Sequence, residues 1–189
     1  DKNYYLMQDA FLYGLLATSS LILGGIIGSA FKLSKKLLGI IMAFGSGVLI
    51  SAVAYELIFE SIKMAVGSGF PAMGLFAGAF VFFFSDRLIG KLGAVNRKSI
   101  GASHASNLAA PMILGILLDG IPESFVIGLG ILETGTVSLT MLIAVFISNL
   151  PEAIAGTTGM VSGKWSKQKI ILLWIIIAII CALTTNIKI

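Results

Sequence analysis

Six stretches of almost unbroken apolar sequence dominate the chain and leave it few ways to fold. They run near residues 9–31, 37–60, 70–90, 107–132, 136–161 and 169–187. A helix needs about 20 such residues to cross the hydrocarbon core of a bilayer. In lipid the backbone must satisfy its own hydrogen bonds, which leaves only helices or a closed barrel. Barrel strands take about 9–11 alternating residues, and these runs are longer and do not alternate. The expectation is an all-α integral membrane protein, a polytopic helix bundle forming one transmembrane domain over residues 1–189.

Composition agrees. Of 189 residues, 57% are hydrophobic and 12% charged, against about 25% charged in a soluble domain, and the mean hydropathy is +1.01. That excludes a soluble globular enzyme, a disordered tail and a disulfide-stapled secreted domain. The single cysteine, Cys181, sits in an apolar run and reads as a small hydrophobe. The chain opens on Asp1, and no cleavable signal peptide is expected, because the first apolar run is long enough to span.

The net charge of +4 is a matter of topology. Lys32, Lys35 and Lys36 follow span one; Arg87, Lys91, Arg97 and Lys98 follow span three; Lys164, Lys167 and Lys169 follow span five. These are ten of the 13 basic residues, and only Lys2, Lys63 and Lys188 fall on the other side. The positive-inside rule places the first group in the cytoplasm, so both ends of the chain are expected outside, in a multi-pass protein of the cell (inner) membrane. The basic loops lack the interleaved aromatics of a nucleic-acid binder. The loop 91–105, which holds the only histidine, His104, is the expected flexible cytoplasmic segment. Glycines inside the spans (Gly24, Gly25, Gly28, Gly45, Gly47, Gly74, Gly78) are expected at close helix contacts.

The informative residues are those that membranes disfavour. A charge at the bilayer centre costs roughly 2.5–3.5 kcal/mol on insertion scales. Span four carries Asp119-Gly-Ile-Pro-Glu-Ser124 and span five carries Ser148-Asn-Leu-Pro-Glu-Ala153, one pattern used twice. Asp119 and Glu123 share a helix face. The short connection makes the two helices antiparallel neighbours, so the motif is expected to meet itself near mid-membrane. Three carboxylates there (Asp119, Glu123, Glu152) must be protonated or hold a cation. Pro122 and Pro151 each remove a backbone N–H and are expected to free the carbonyls of Leu118 and Ile147. Broken helices with acids at the midplane are how transporters coordinate ions.

These paired Pro-Glu motifs resemble those of the ZIP (Zrt/Irt-like) divalent metal transporters, in particular bacterial-type permeases. Span two, Ala43 to Glu60, is glycine-rich and ends in an acid, and is similar to the family's second helix. The resemblance runs from about residue 10 to 161. It implies uptake of a divalent metal, zinc first, into the cytoplasm, through a site between pseudo-symmetric, antiparallel spans four and five. By position, Asp119 stands where the family has His, Glu123 and Glu152 match its bridging carboxylates, and Asn149 and Ser148 match polar ligands. Glu60 and Glu56 are then expected at the outer mouth, with Ser46 and Val53 on the same helix stripe lining the path. Gly120 replaces the family's Asn, and span six carries no acid. One ion held by Asp119, Glu123, Ser148 and Glu152, with Asn149 peripheral, is therefore expected rather than two. The family has eight spans, so either two more are expected to follow the six visible here, the reading preferred, or the chain is a shortened relative. A homodimer and no cofactor are further expectations of the resemblance.

Ligand chemistry points elsewhere on the metal. No His or Cys is within reach by motif, and an oxygen-only site suits Mn or Fe, although carboxylates also bind Zn; Cd is a further candidate. Two other functions compete: a structural or assembly subunit whose acids are neutral, and a proton- or sodium-coupled carrier of another solute. An enzyme is not expected, since a His-Glu-x-x-His metalloprotease motif needs two histidines. Asp86 and Arg87, at the edge of span three, read as a helix-end ion pair or anchor, with Asp86 near the exit. Phe82 to Phe84 read as lipid-facing or packing surface.

Overall fold

Serine starts three of the long helices. In each case the residue before the helix is extended, and its hydroxyl accepts an otherwise unpaired backbone N–H. Ser34 accepts from Leu37 at 3.2 Å, Ser138 from Met141 at 3.2 Å, and Ser166 from Lys169 at 3.4 Å. Gly135 closes the preceding turn with φ +73° and donates to the Ile131 carbonyl at 2.8 Å, a left-handed conformation that a side chain would strain.

The computed structural model describes residues 2–98 and 106–186, with side chains over 8–91 and 113–186. Its elements are α1 (Lys2–Ala30), α2 (Lys35–Ala52), a π-helical stretch (Val53–Ile58), α3 (Phe59–Met64), α4 (Phe70–Lys98), α5 (Ser106–Thr134), α6 (Leu139–Ser162) and α7 (Lys167–Thr184). No strand occurs among the described residues. α2, the π-helical stretch and α3 form one rod. Among the described residues, six helices are long and apolar enough to cross a membrane, at the positions hydropathy indicated. α4 runs on to Lys98, so the first half of the expected loop 91–105 is helical. His104 and the rest of that loop lie outside the described residues.

α1, α5, α6 and α7 make a four-helix bundle, α2 lies along α6, and α4 packs chiefly on α5. Glycine permits the tightest contacts. A Cβ at Gly24 would fall 2.6 Å from Ala153 Cβ, and one at Gly28 would fall 2.8 Å from Thr157 Cβ. These pairs rise together in number, so α1 and α6 run in the same direction. Gly14 meets Thr185 and Ala182 while Gly25 meets Trp174, so α1 and α7 run in opposite directions. Such alternation is what successive membrane crossings require. Gly45 is a contact too, but Gly47, Gly74 and Gly78 have nothing within 4 Å of a built Cβ. The packing role expected of those three is absent, because α4 and the outer face of α2 are not covered by the rest of the chain.

Two apolar clusters fill the bundle. One gathers Leu21, Ile116, Met160, Ile170 and Trp174, and the other Ile127, Ile131, Met141 and Val145. Between and around them sit the buried polar residues Thr18, Ser20, Ser124, Ser148, Asn149 and Thr157. Most have a partner: Thr18 donates to the Gly14 carbonyl at 2.8 Å, and Thr157 Oγ1 accepts from Trp174 Nε1 of α7 at 2.8 Å.

Candidate cation site in the bundle interior

Both Pro-Glu motifs lie inside continuous helices. α5 runs through Pro122 and α6 through Pro151 without a break, so the expected interruptions are not present. Proline costs one backbone hydrogen bond per helix, and both helices continue past that loss. A Cβ on Gly45 of α2 would lie 3.2 Å from the Ile147 carbonyl oxygen and 3.3 Å from Pro151 Cγ. The carbonyl whose usual partner Pro151 removes thus lies against α2.

At about 1.5 Å per residue, Glu123, Glu152 and Asp119 lie about 16–22 Å along their helices from the α5–α6 turn. The three acids therefore sit at similar depth. All three are partly buried. The charges of Glu152 and Asp119 both reach Glu123, and that of Asp119 reaches Glu152.

The meeting is looser than a closed coordination shell. Among the described residues, no three His, Cys, Asp or Glu side chains converge on a point that could hold an ion. Both α4, which carries Asp86, and α7 pack on α5, and the charge of Asp86 acts on Asp119. Asp86 was expected only as an anchor or exit residue; its reach to Asp119 follows from the packing of α4 on α5.

Hydrogen bonding singles out the same motifs. Among the described residues, four buried side-chain atoms have no hydrogen-bond partner: Glu123 Oε2, Ser124 Oγ, Asn149 Nδ2 and Asn186 Oδ1. Three of the four belong to the two Pro-Glu motifs. Ser148 differs, since its hydroxyl donates to the Val145 carbonyl at 3.1 Å, so it is held by its own helix. Asn149, expected at the periphery, is 1% exposed with its amide nitrogen unpaired.

Sequence reading missed one neighbour. Cys181 of α7 packs against the span-four motif, and a Cβ at Gly120 would lie 3.0 Å from its sulfur. The sequence reading named no sulfur beside this motif. No motif flags Cys181; only the side-by-side packing of α5 and α7 reveals it. The absence of a side chain at Gly120, where the resemblance expected an Asn, is the one sequence signal that left room for it.

The residues expected at the outer mouth divide. Glu56 lies in the π-helical stretch and accepts a 2.8 Å hydrogen bond from Ser138 at the start of α6. Glu60 is exposed and pairs with Lys63 at 2.7 Å. Ser46 is exposed, and Val53 lines a cleft of about 1000 Å³ between the α2–α3 rod, α4 and α5. The π-helical stretch, Val53–Ile58, separates Glu60 from the other two residues expected on its stripe, Ser46 and Val53. One inserted residue rotates everything after it by about 100°.

No family model, no curated protein and no solved structure matches this chain.

Proposed function

We propose that the protein carries a divalent metal cation across the membrane into the cytoplasm, in the manner its Pro-Glu motifs imply by resemblance to the ZIP transporters. One observation carries the reading: in a bundle interior where polar groups are otherwise mostly paired, the orphaned atoms concentrate on the two motifs. Leaving a buried carboxylate oxygen unpaired costs several kcal/mol, and a fold retains such an arrangement where a ligand answers it.

In this reading Glu123 and Glu152 are the shared ligands, and Asn149 turns its amide oxygen to the ion. Asp119 and Asp86 extend the acids towards the basic end of α4, which the positive-inside rule puts in the cytoplasm. Ser148 shapes the wall rather than binding. Glu56 marks the opposite, outer end, where the N-terminus also lies. Transport follows alternating access, with the α1/α5/α6/α7 bundle moving against α2 and α4, the two spans least embedded in the rest of the chain. The carrier acts in the bilayer as a homodimer.

A second reading has one observation in its favour. The lack of three converging ligands among the described residues suits acids that carry protons and serve packing. Uptake of divalent metal into proteoliposomes separates the two. The carrier reading expects Glu123→Ala and Glu152→Ala to abolish uptake. Parent-like uptake by both variants refutes it.

A further inference from the structure

One end of the bundle is more basic than a membrane crossing requires. α1 and α6 run parallel with Gly28 against Thr157, and α1 and α7 run antiparallel with Gly14 against Thr185. That register brings Lys32 level with Val161 and with Lys167. α2 runs antiparallel to α6, with Gly45 against Ser148 and Glu56 bonded to Ser138, which sets Lys35 level with the last turn of α6. The connections 31–34 and 163–166 therefore share one end. They and the first turns of α2 and α7 carry Lys32, Lys35, Lys36, Lys164, Lys167 and Lys169, all exposed. Residues 10–55 and 153–189 contain no acid. Among the described residues the one ion pair is Lys63–Glu60, elsewhere in the molecule.

Topology alone does not ask for this. The positive-inside rule counts Lys and Arg and is nearly indifferent to acids, so it leaves an acid-free surface unexplained. Most of these lysines also stand where they are locally unfavourable. Lys35 and Lys36 open α2, and Lys167 and Lys169 open α7, with no acid in either first turn, although a helix N-terminus disfavours cations. Lys164 has φ +59° in the turn that ends α6. Its N–H donates to the Val161 carbonyl at 3.0 Å and that of Trp165 to Met160 at 3.1 Å, a turn in which glycine is the usual residue. Positive charge clustered at a local cost, and unanswered by the chain itself, fits a partner of opposite charge. Trp165, half-buried against the core cluster, belongs to the aromatic class that sits at headgroup depth.

We propose that this lysine surface binds anionic phospholipid headgroups of the leaflet facing this end of the bundle, as a lipid contact and not as a site for free anions. Each lysine near an anionic surface strengthens the attraction about fivefold. The inference is independent of what the buried acids hold.

The test reconstitutes the full chain in phosphatidylcholine bilayers that hold a minor share of brominated lipid, either phosphatidylglycerol or phosphatidylcholine, and reads the quenching of tryptophan fluorescence. Trp165 lies within the lysine surface, whereas Trp174 is 0% exposed. The proposal expects brominated phosphatidylglycerol to associate at least about fivefold more strongly than the brominated phosphatidylcholine. That preference is expected to vanish at about 1 M salt, where screening shortens the reach of charge to about 3 Å. The triple variant Lys164→Gln, Lys167→Gln, Lys169→Gln is expected to lose most of it, and the matching Lys→Arg variant to keep it. Equal quenching by the two lipids in the parent, a preference that salt does not weaken, or one that the Gln variant retains overturns the proposal. Loss of the preference on adding millimolar inorganic phosphate at constant ionic strength shows a free-anion site and overturns the lipid assignment.

Discussion

Ser138 holds two elements with one hydroxyl. It donates to Glu56 at 2.8 Å, across 82 residues of chain, while accepting the Met141 N–H at 3.2 Å. The first bond ties the π-helical stretch to α6, and the second starts α6. Ser138→Ala removes both. Loss of a helix N-cap costs about 1 kcal/mol, and the stranded carboxylate adds to it. Glu56→Gln keeps an acceptor, so its cost is smaller. Thermal unfolding in detergent is expected to rank the parent highest, Glu56→Gln next and Ser138→Ala lowest.

The bundle seam is where added volume is least tolerated. A methyl group at Gly28 would meet Thr157 Cβ at 2.8 Å and the Ile154 carbonyl at 3.0 Å. Overpacking of this kind costs typically 1–3 kcal/mol. Gly28→Ala is expected to lower the melting temperature clearly. Gly74→Ala and Gly78→Ala, with nothing within 4 Å, are expected to leave it unchanged. Equal effects at all three positions contradict the packing described.

Trp174 is 0% exposed, and its indole N–H donates to Thr157 Oγ1 at 2.8 Å. Thr157→Val keeps the volume and removes the acceptor. An unanswered buried donor costs about 1–3 kcal/mol, and the same melting experiment reads it. A parent-like melt shows that the indole has another partner.

The candidate site and the fold were legible to different depths. Continuous apolar runs located the six long apolar helices found among the described residues, because hydropathy needs no knowledge of neighbours. The acids stood out because charge inside lipid is costly wherever it occurs. What depended on packing was hidden. Pro122 and Pro151 read as breaks, yet both helices are continuous through them. Val53–Ile58 carries no composition cue for a π-helical turn, so the register change before Glu60 could not be foreseen. Cys181 reads as apolar until α7 is laid against Gly120. Ser124 looked like the small residue closing a motif, and its orphaned hydroxyl emerges only once its surroundings are known.

Function and stability should oppose each other at Glu123. Replacing the unpaired carboxylate by an amide removes a group whose charge is costly to bury. Glu123→Gln is expected to melt within about 1 kcal/mol of the parent or above it, and to take up metal at least about tenfold more slowly. A variant that is unstable but still active contradicts the role assigned to Glu123.

Protons compete with metal for the same oxygens. Metal affinity of the parent, measured by calorimetry, is therefore expected to fall as the solution is acidified. An affinity that does not change with pH argues against carboxylate ligation.

The central claim is that the two Pro-Glu motifs share one divalent ion. Anomalous scattering recorded across the metal edges, from crystals soaked separately in Zn²⁺, Cd²⁺ and Mn²⁺, tests it most directly. The account predicts a peak between α5 and α6, beside Glu123 and Glu152. Peaks confined to exposed acids such as Glu60, or none at all, would contradict it.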